Sequence, residues 1–167
     1  MKTLLWIAVA LVASAALVYG VGALLPSGHR ATRSVRLPAD LPVVYALIAD
    51  ASRYPEWRKD VETVVALAPD RYREEGGFGP ITYRVEVDDA PRRRVTRIDD
   101  PDLPFGGTWT FELAPEAGGT RLTITEDGVV RSPLFRFFSR FVFGHTKTID
   151  TYLAEATVAL QPPSTSL

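Results

Sequence analysis

From Leu4 to Leu25 the chain reads "LLWIAVALVASAALVYGVGALL", without one charged residue. A helix needs about 20 apolar residues to cross a bilayer. The run meets that length, and Trp6 and Tyr19 fall toward its two ends, where interfacial aromatics are favoured. A cleaved signal peptide is the competing reading, because "ASA" at Ala13 to Ala15 offers small residues for a peptidase. The apolar run continues past that point to Leu25, however, which favours an uncleaved single-pass anchor. The remaining residues must therefore fold beside a membrane, as one domain tethered at the cell membrane through residues 4–25. The expected division is an anchor over 1–26, a folded domain over 27–160 and a polar tail over 161–167.

Composition narrows the chemistry. With a net charge of -1, the chain lacks the strong basic excess of a general nucleic-acid binder. It has no cysteine, which removes disulfides, thiolate metal sites and a thiol nucleophile. Two histidines make a His-rich metal centre a poor expectation, and no cofactor is implied. No Gly-rich phosphate loop appears, since "GGFG" joins two strand patterns rather than a strand and a helix.

Beyond "PSG" the pattern gives an order of elements. "HRATRSVRL" predicts a first strand. Asp40 is placed to cap "VVYALIA", with Pro42 in the first turn, where a missing N–H costs little. Pro55 disfavours helical geometry at Tyr54, so "DASRYPEW" predicts two short turns set at an angle. Strand patterns come next, at "VETVVALA", "RYREE", "ITYRVEVD", "RRRVTRI", "GTWTFELA" and "GGTRLTITEDG". Alternation puts Ile81, Tyr83, Val85 and Val87 on one face, with Trp109, Phe111, Leu113, Leu122 and Ile124 also inward. Short connections predict antiparallel neighbours. The period then changes. Leu134, Phe138, Phe141, His145, Ile149 and Tyr152 recur at steps of three and four, which predicts one long C-terminal helix capped by Ser132 and Pro133. A curved antiparallel sheet with a single large helix must bury its apolar face on that helix. The fold class is α+β.

Three groups of residues can carry chemistry. Glu126 shares parity with Leu122 and Ile124, so it points inward; a strand-end position would instead give it to solvent. An inward carboxylate among apolar groups is a general acid or base. His145 lies on the helical stripe facing the sheet and can orient a carbonyl or move a proton. Arg92, Arg93, Arg94 and Arg97 split across both faces of their strand, and a solvated edge protected by charge is the favoured reading. Arg136, Arg140 and Lys147 form the polar side of the long helix, where they meet solvent or anionic headgroups.

The segments "VVYALIADASRYPEW" (Val43 to Trp57), "LPFGGTWTFELAP" (Leu103 to Pro115) and "GGTRLTITEDGVVRSPLFRFFSRFVFG" (Gly118 to Gly144) resemble the START-like, or SRPBCC, superfamily. The nearest branch is the polyketide cyclase/dehydrase-like group, and the resemblance spans about residues 30 to 155. It implies a helix-grip fold and a hydrophobic cavity between sheet and helix for lipids, polyketides or other apolar molecules. Tyr54 and Trp57 would then cover one mouth of the grip. The cavity would be lined by Tyr83, Val85, Trp109, Phe111, Phe138 and Phe141. Binding by burial leads, at about 25 cal/mol per Å2 of apolar area. The alternatives are a cyclase/dehydratase-like enzyme using Glu126 or His145, and an interaction module with a filled core.

Overall fold

The structure, a computed structural model, describes residues 2–77, 79–144 and 146–161. His145 and most of the predicted polar tail lie outside the described residues. Helix α1 (Lys2–Leu24) takes up the apolar run and is the one described helix long and apolar enough to cross a membrane. Most of its length is exposed, but Val18, Val21, Gly22 and Leu25 form a partly buried stripe at its C-terminal end. Only Leu25, Pro26 and Ser27 separate α1 from the first strand.

Seven strands make one antiparallel sheet in the order β1-β7-β6-β5-β4-β3-β2. They are β1 (Gly28–Leu37), β2 (Val61–Ala68), β3 (Arg71–Gly76), β4 (Ile81–Asp89), β5 (Arg93–Ile98), β6 (Phe105–Glu116) and β7 (Gly119–Val130). The hairpins place successive strands side by side, while β1 closes against β7 at the far edge. Helices α2 (Leu41–Ala49) and α3 (Tyr54–Trp57), with a 3-10 turn over Ala51–Arg53 between them, cap one end. Asp50 supports that bend by accepting from the Ser52 N–H at 3.2 Å.

The C-terminal helical stretch differs from the expected single helix. It divides into α4 (Pro133–Phe138), a π-helical turn (Ser139–Phe143) and α5 (Lys147–Ala159). Gly144 sits at φ 74°, a left-handed conformation that ends the first piece and that glycine adopts without a Cβ penalty. Only α5 is gripped: Ile149, Tyr152, Leu153 and Ala156 are buried, against a core that includes Leu37, Val44, Ile48, Phe111, Leu122 and Ile124. Helix α4 packs on α1 instead. The 3.6-residue period runs through both pieces because each is amphipathic, but the two apolar faces have different surroundings.

Two strand readings also change. A β-bulge between Val85 and Val87 ends the simple alternation of β4 and brings Asp88 opposite Arg94. And β5 is a central strand, not a charged edge, so Arg94 is an interior residue with a side chain only 7% exposed.

Candidate functional site

The interior of the grip is built of rings. Tyr152 on α5 stands edge-on to Trp57 at 5.1 Å and to Trp109 at 5.7 Å. Phe111 lies 5.6 Å from Tyr152. Trp57 meets Tyr54 edge-on at 5.7 Å, and Tyr72 stacks on Tyr83 at 5.4 Å. Such offset and edge-on pairs add to their burial. Tyr54 is tied down by donating to the Ile48 carbonyl at 2.7 Å. Val85 belongs to the same group as Tyr54, Val61 and Tyr72. The strand parity of Tyr83, Trp109 and Phe111 is thus realised, and Tyr54 and Trp57 enter this interior from the bend.

Charges are threaded through the rings. Arg58 donates to Glu74 Oε1 at 2.9 Å and to Asp60 at 2.8 Å, with its guanidinium 5.0 Å from the centre of the Tyr54 ring. Glu74 reaches this position because Tyr72 and Glu74 are the inward residues of the polar strand β3. Burial raises the Glu74 pKa, with Arg58 pulling against it. Arg94 donates to Asp88 at 2.7 Å, and Tyr45 donates to the same carboxylate. Burial, followed by the Asp88 hydrogen bond, pushes the Tyr45 hydroxyl up to about 12. Of two buried donors among these rings, the Trp57 indole N–H has no hydrogen-bond partner among the described residues, and the Tyr152 hydroxyl has only the Tyr54 hydroxyl to pair with. Burial also holds the Tyr152 hydroxyl well above its ordinary pKa, so it remains a neutral donor.

Glu126 points inward, as its parity requires, between Ala31 of β1 and Trp109 of β6. Its partner is His29, at 3.6 Å, with side-chain exposures of 15% for the imidazole and 19% for the carboxylate. The imidazole lies over Gly128, where an added Cβ would come within 2.2 Å of His29 Cε1. Residue 128 must therefore have no side chain if the pair is to stay as it is. Sequence reasoning missed His29 because its partner strand is the last in the chain, and nothing local announces that register. The one clue was a lone His at the start of the first strand.

Open volume lies at the same end. A cleft of about 380 Å3 is lined by Leu25, Pro26, His29, Val130, Arg136 and Arg140, among others. A second depression of about 380 Å3, on the outer face, is bordered by Arg92, Arg93, Glu112 and Arg121 and is largely polar in its residues. Phe138 and Phe141 lie on α4 and the π turn, 38% and 60% exposed, outside the buried cluster that Ile149 and Tyr152 join. Among the described residues, no group of three or more His, Asp or Glu side chains is placed to hold a metal ion.

A family model described as polyketide cyclase / dehydrase and lipid transport matches residues 37–148. Solved structures share the fold. A START superfamily protein from Mycobacterium smegmatis superposes with TM-score 0.66 at 16% identity, covering 79% of this chain and 97% of that one. A conserved protein from Geobacillus kaustophilus gives TM-score 0.68 at 15% identity, covering 79% and 95%. The ZhuI aromatase/cyclase from a Streptomyces species gives 0.63 at 17% identity, covering 82% and 98%. At these identities the likeness is one of fold. No curated protein matches the sequence.

Proposed function

The chain belongs to the polyketide cyclase / dehydrase and lipid transport family, and on that premise we propose that it is a membrane-anchored binding module for a lipid or other apolar small molecule. In this reading residues 1–26 are the anchor, 27–160 the binding domain and 161–167 a tail. The ligand enters at the cleft beside His29 and extends along Trp109 and Tyr152 toward Trp57. The observation that carries the reading is a pair of buried donors set among aromatic rings, the unpartnered Trp57 N–H and the Tyr152 hydroxyl with only Tyr54 beside it. A buried polar group without a partner costs roughly 1–3 kcal/mol, and a bound acceptor would offset that cost. An apolar body with one or two polar atoms suits such a wall.

The test uses the difference between the empty and the loaded protein. Native mass spectrometry of the detergent-extracted full chain should reveal a co-purified apolar molecule. Tyr152→Phe should lower the stability of the empty protein by no more than about 1 kcal/mol, the worth of the Tyr54 hydrogen bond it gives up. It should also weaken binding of a fluorescent fatty-acid probe by about tenfold, the worth of one hydrogen bond. A variant that is less stable yet binds the probe unchanged would assign the hydroxyl to packing and sink the reading. If no apolar molecule binds at all, the chain is an interaction module with a filled core.

The contact between Glu126 and His29 supports a second reading, an enzyme of cyclase or dehydratase type with Glu126 moving a proton through His29, which lines the cleft. Recovery of a chemically converted ligand from the wild type and its unconverted form from Glu126→Gln would establish it. Identical ligands from both would remove it.

A further inference from the structure

The segment formed by α4 and the π turn turns an apolar side outward. Leu134, Phe135, Phe138, Phe141 and Val142 are all exposed, by 38–60%. Leu134, Phe138 and Val142 are spaced four apart, as are Arg136 and Arg140, so they form separate rows. The arginine row turns toward the domain. Arg136 donates to the carbonyls of Val130 at 2.8 Å, Leu25 at 3.3 Å and Arg131 at 3.0 Å, tying together the ends of β7 and α1. Arg131 donates to the carbonyls of Leu103 and Phe105. Among the described residues no carboxylate pairs with Arg131, Arg136 or Arg140, and Arg136 and Arg140 border one cleft.

The depth of this segment is set by its packing. Pro133 abuts Gly22 so closely that an added Cβ would lie 1.9 Å from the Pro133 oxygen. The 23 residues of α1 make a rod of about 34 Å, against a hydrocarbon layer of about 30 Å. The packed stripe, Val18 to Leu25, occupies the last ~10 Å of that rod on the domain side. An element fastened there cannot stay in water while α1 spans the bilayer. Interfacial helices bury their apolar faces to about 5–10 Å, the same layer.

We infer that the α4–π segment is a second membrane contact, seated at the headgroup–acyl boundary of an anionic bilayer beside α1. This rests on the reading of α1 as a membrane span. The apolar row faces the acyl chains, and the three arginines lie at the level of the headgroup phosphates.

The absence of cysteine makes the test direct. Full-length protein carrying a single nitroxide at Phe135→Cys or Val142→Cys is reconstituted into vesicles of phosphatidylcholine and phosphatidylglycerol. Reference labels are placed at Val12→Cys in α1 and at Glu62→Cys on the exposed edge strand. Collision with oxygen, which concentrates in lipid, is compared with collision with a water-soluble nickel chelate. Labels at 135 and 142 should favour oxygen as the Val12 label does, severalfold over the Glu62 label. Replacing phosphatidylglycerol by phosphatidylcholine, or introducing Arg140→Glu, should shift both labels toward nickel. Lipid-like behaviour at Val12 with water-like behaviour at 135 and 142 overturns the inference and leaves the anchor standing. Water-like behaviour at Val12 overturns the anchor, and the inference with it. Insensitivity to both lipid charge and Arg140→Glu overturns the assignment of an anionic surface.

Discussion

Arg58→Ala is expected to lower the unfolding free energy by about 3–5 kcal/mol at neutral pH, the usual cost of leaving one partner of a buried ion pair behind. The Glu74 side chain is only 8% exposed, and Arg58 supplies its one charged hydrogen bond among the described residues. The loss should depend on pH in a definite sense. Burial already raises the Glu74 pKa above its ordinary 4.5, and removing Arg58 takes away the opposing pull. A carboxyl with a raised folded pKa gives its full relative stability below the unfolded pKa and loses it as pH rises through the folded value. The deficit of the variant against wild type should therefore be smallest below about pH 4.5 and widen as pH rises. Urea unfolding of both proteins in mild detergent across that range measures it. Glu74→Gln in the Arg58→Ala background should restore much of the loss at neutral pH. A deficit independent of pH, with no rescue, would mean that lost packing over Tyr54 and Tyr152 dominates.

Ile149→Ala and Phe141→Ala should behave oppositely, although both residues fall on one helical stripe in the sequence. Ile149 is fully buried under the sheet, and truncating such a residue costs about 2–5 kcal/mol. Phe141 is 60% exposed on the far side of the break at Gly144. Its truncation should move stability in detergent by no more than about 0.5 kcal/mol. Thermal or urea unfolding of the two variants decides the matter. Comparable losses would show that the stretch acts as one helix gripped along its whole length.

The strands were legible because an antiparallel sheet with one covered face writes its parity into the sequence. Trp109, Phe111, Leu122, Ile124 and Glu126 all face where alternation puts them. Three features were not legible, each for a physical reason. The bulge at Glu86 costs one residue of register, and no residue type marks it, so the meeting of half-exposed Asp88 with buried Arg94 was unannounced. His29 meets Glu126 through the β1–β7 pairing, a long-range choice that local pattern does not encode. The C-terminal stripe looked continuous because periodicity records that a face is apolar, not what covers it. Only Gly144 hinted at two helices with two different surroundings.

The connection between α1 and β1 has a consequence for what such a protein can deliver. Three residues, Leu25 to Ser27, reach about 10 Å at full extension, and Arg136 ties the Leu25 carbonyl to the end of β7 besides. With α1 in a bilayer, the domain has no tether length on which to cross an aqueous gap and no swivel by which to turn away. On the proposed reading it could not ferry cargo from one membrane to another. It would exchange molecules only with its own leaflet, or with partners that come to that surface, and any search for cargo would be confined to two dimensions.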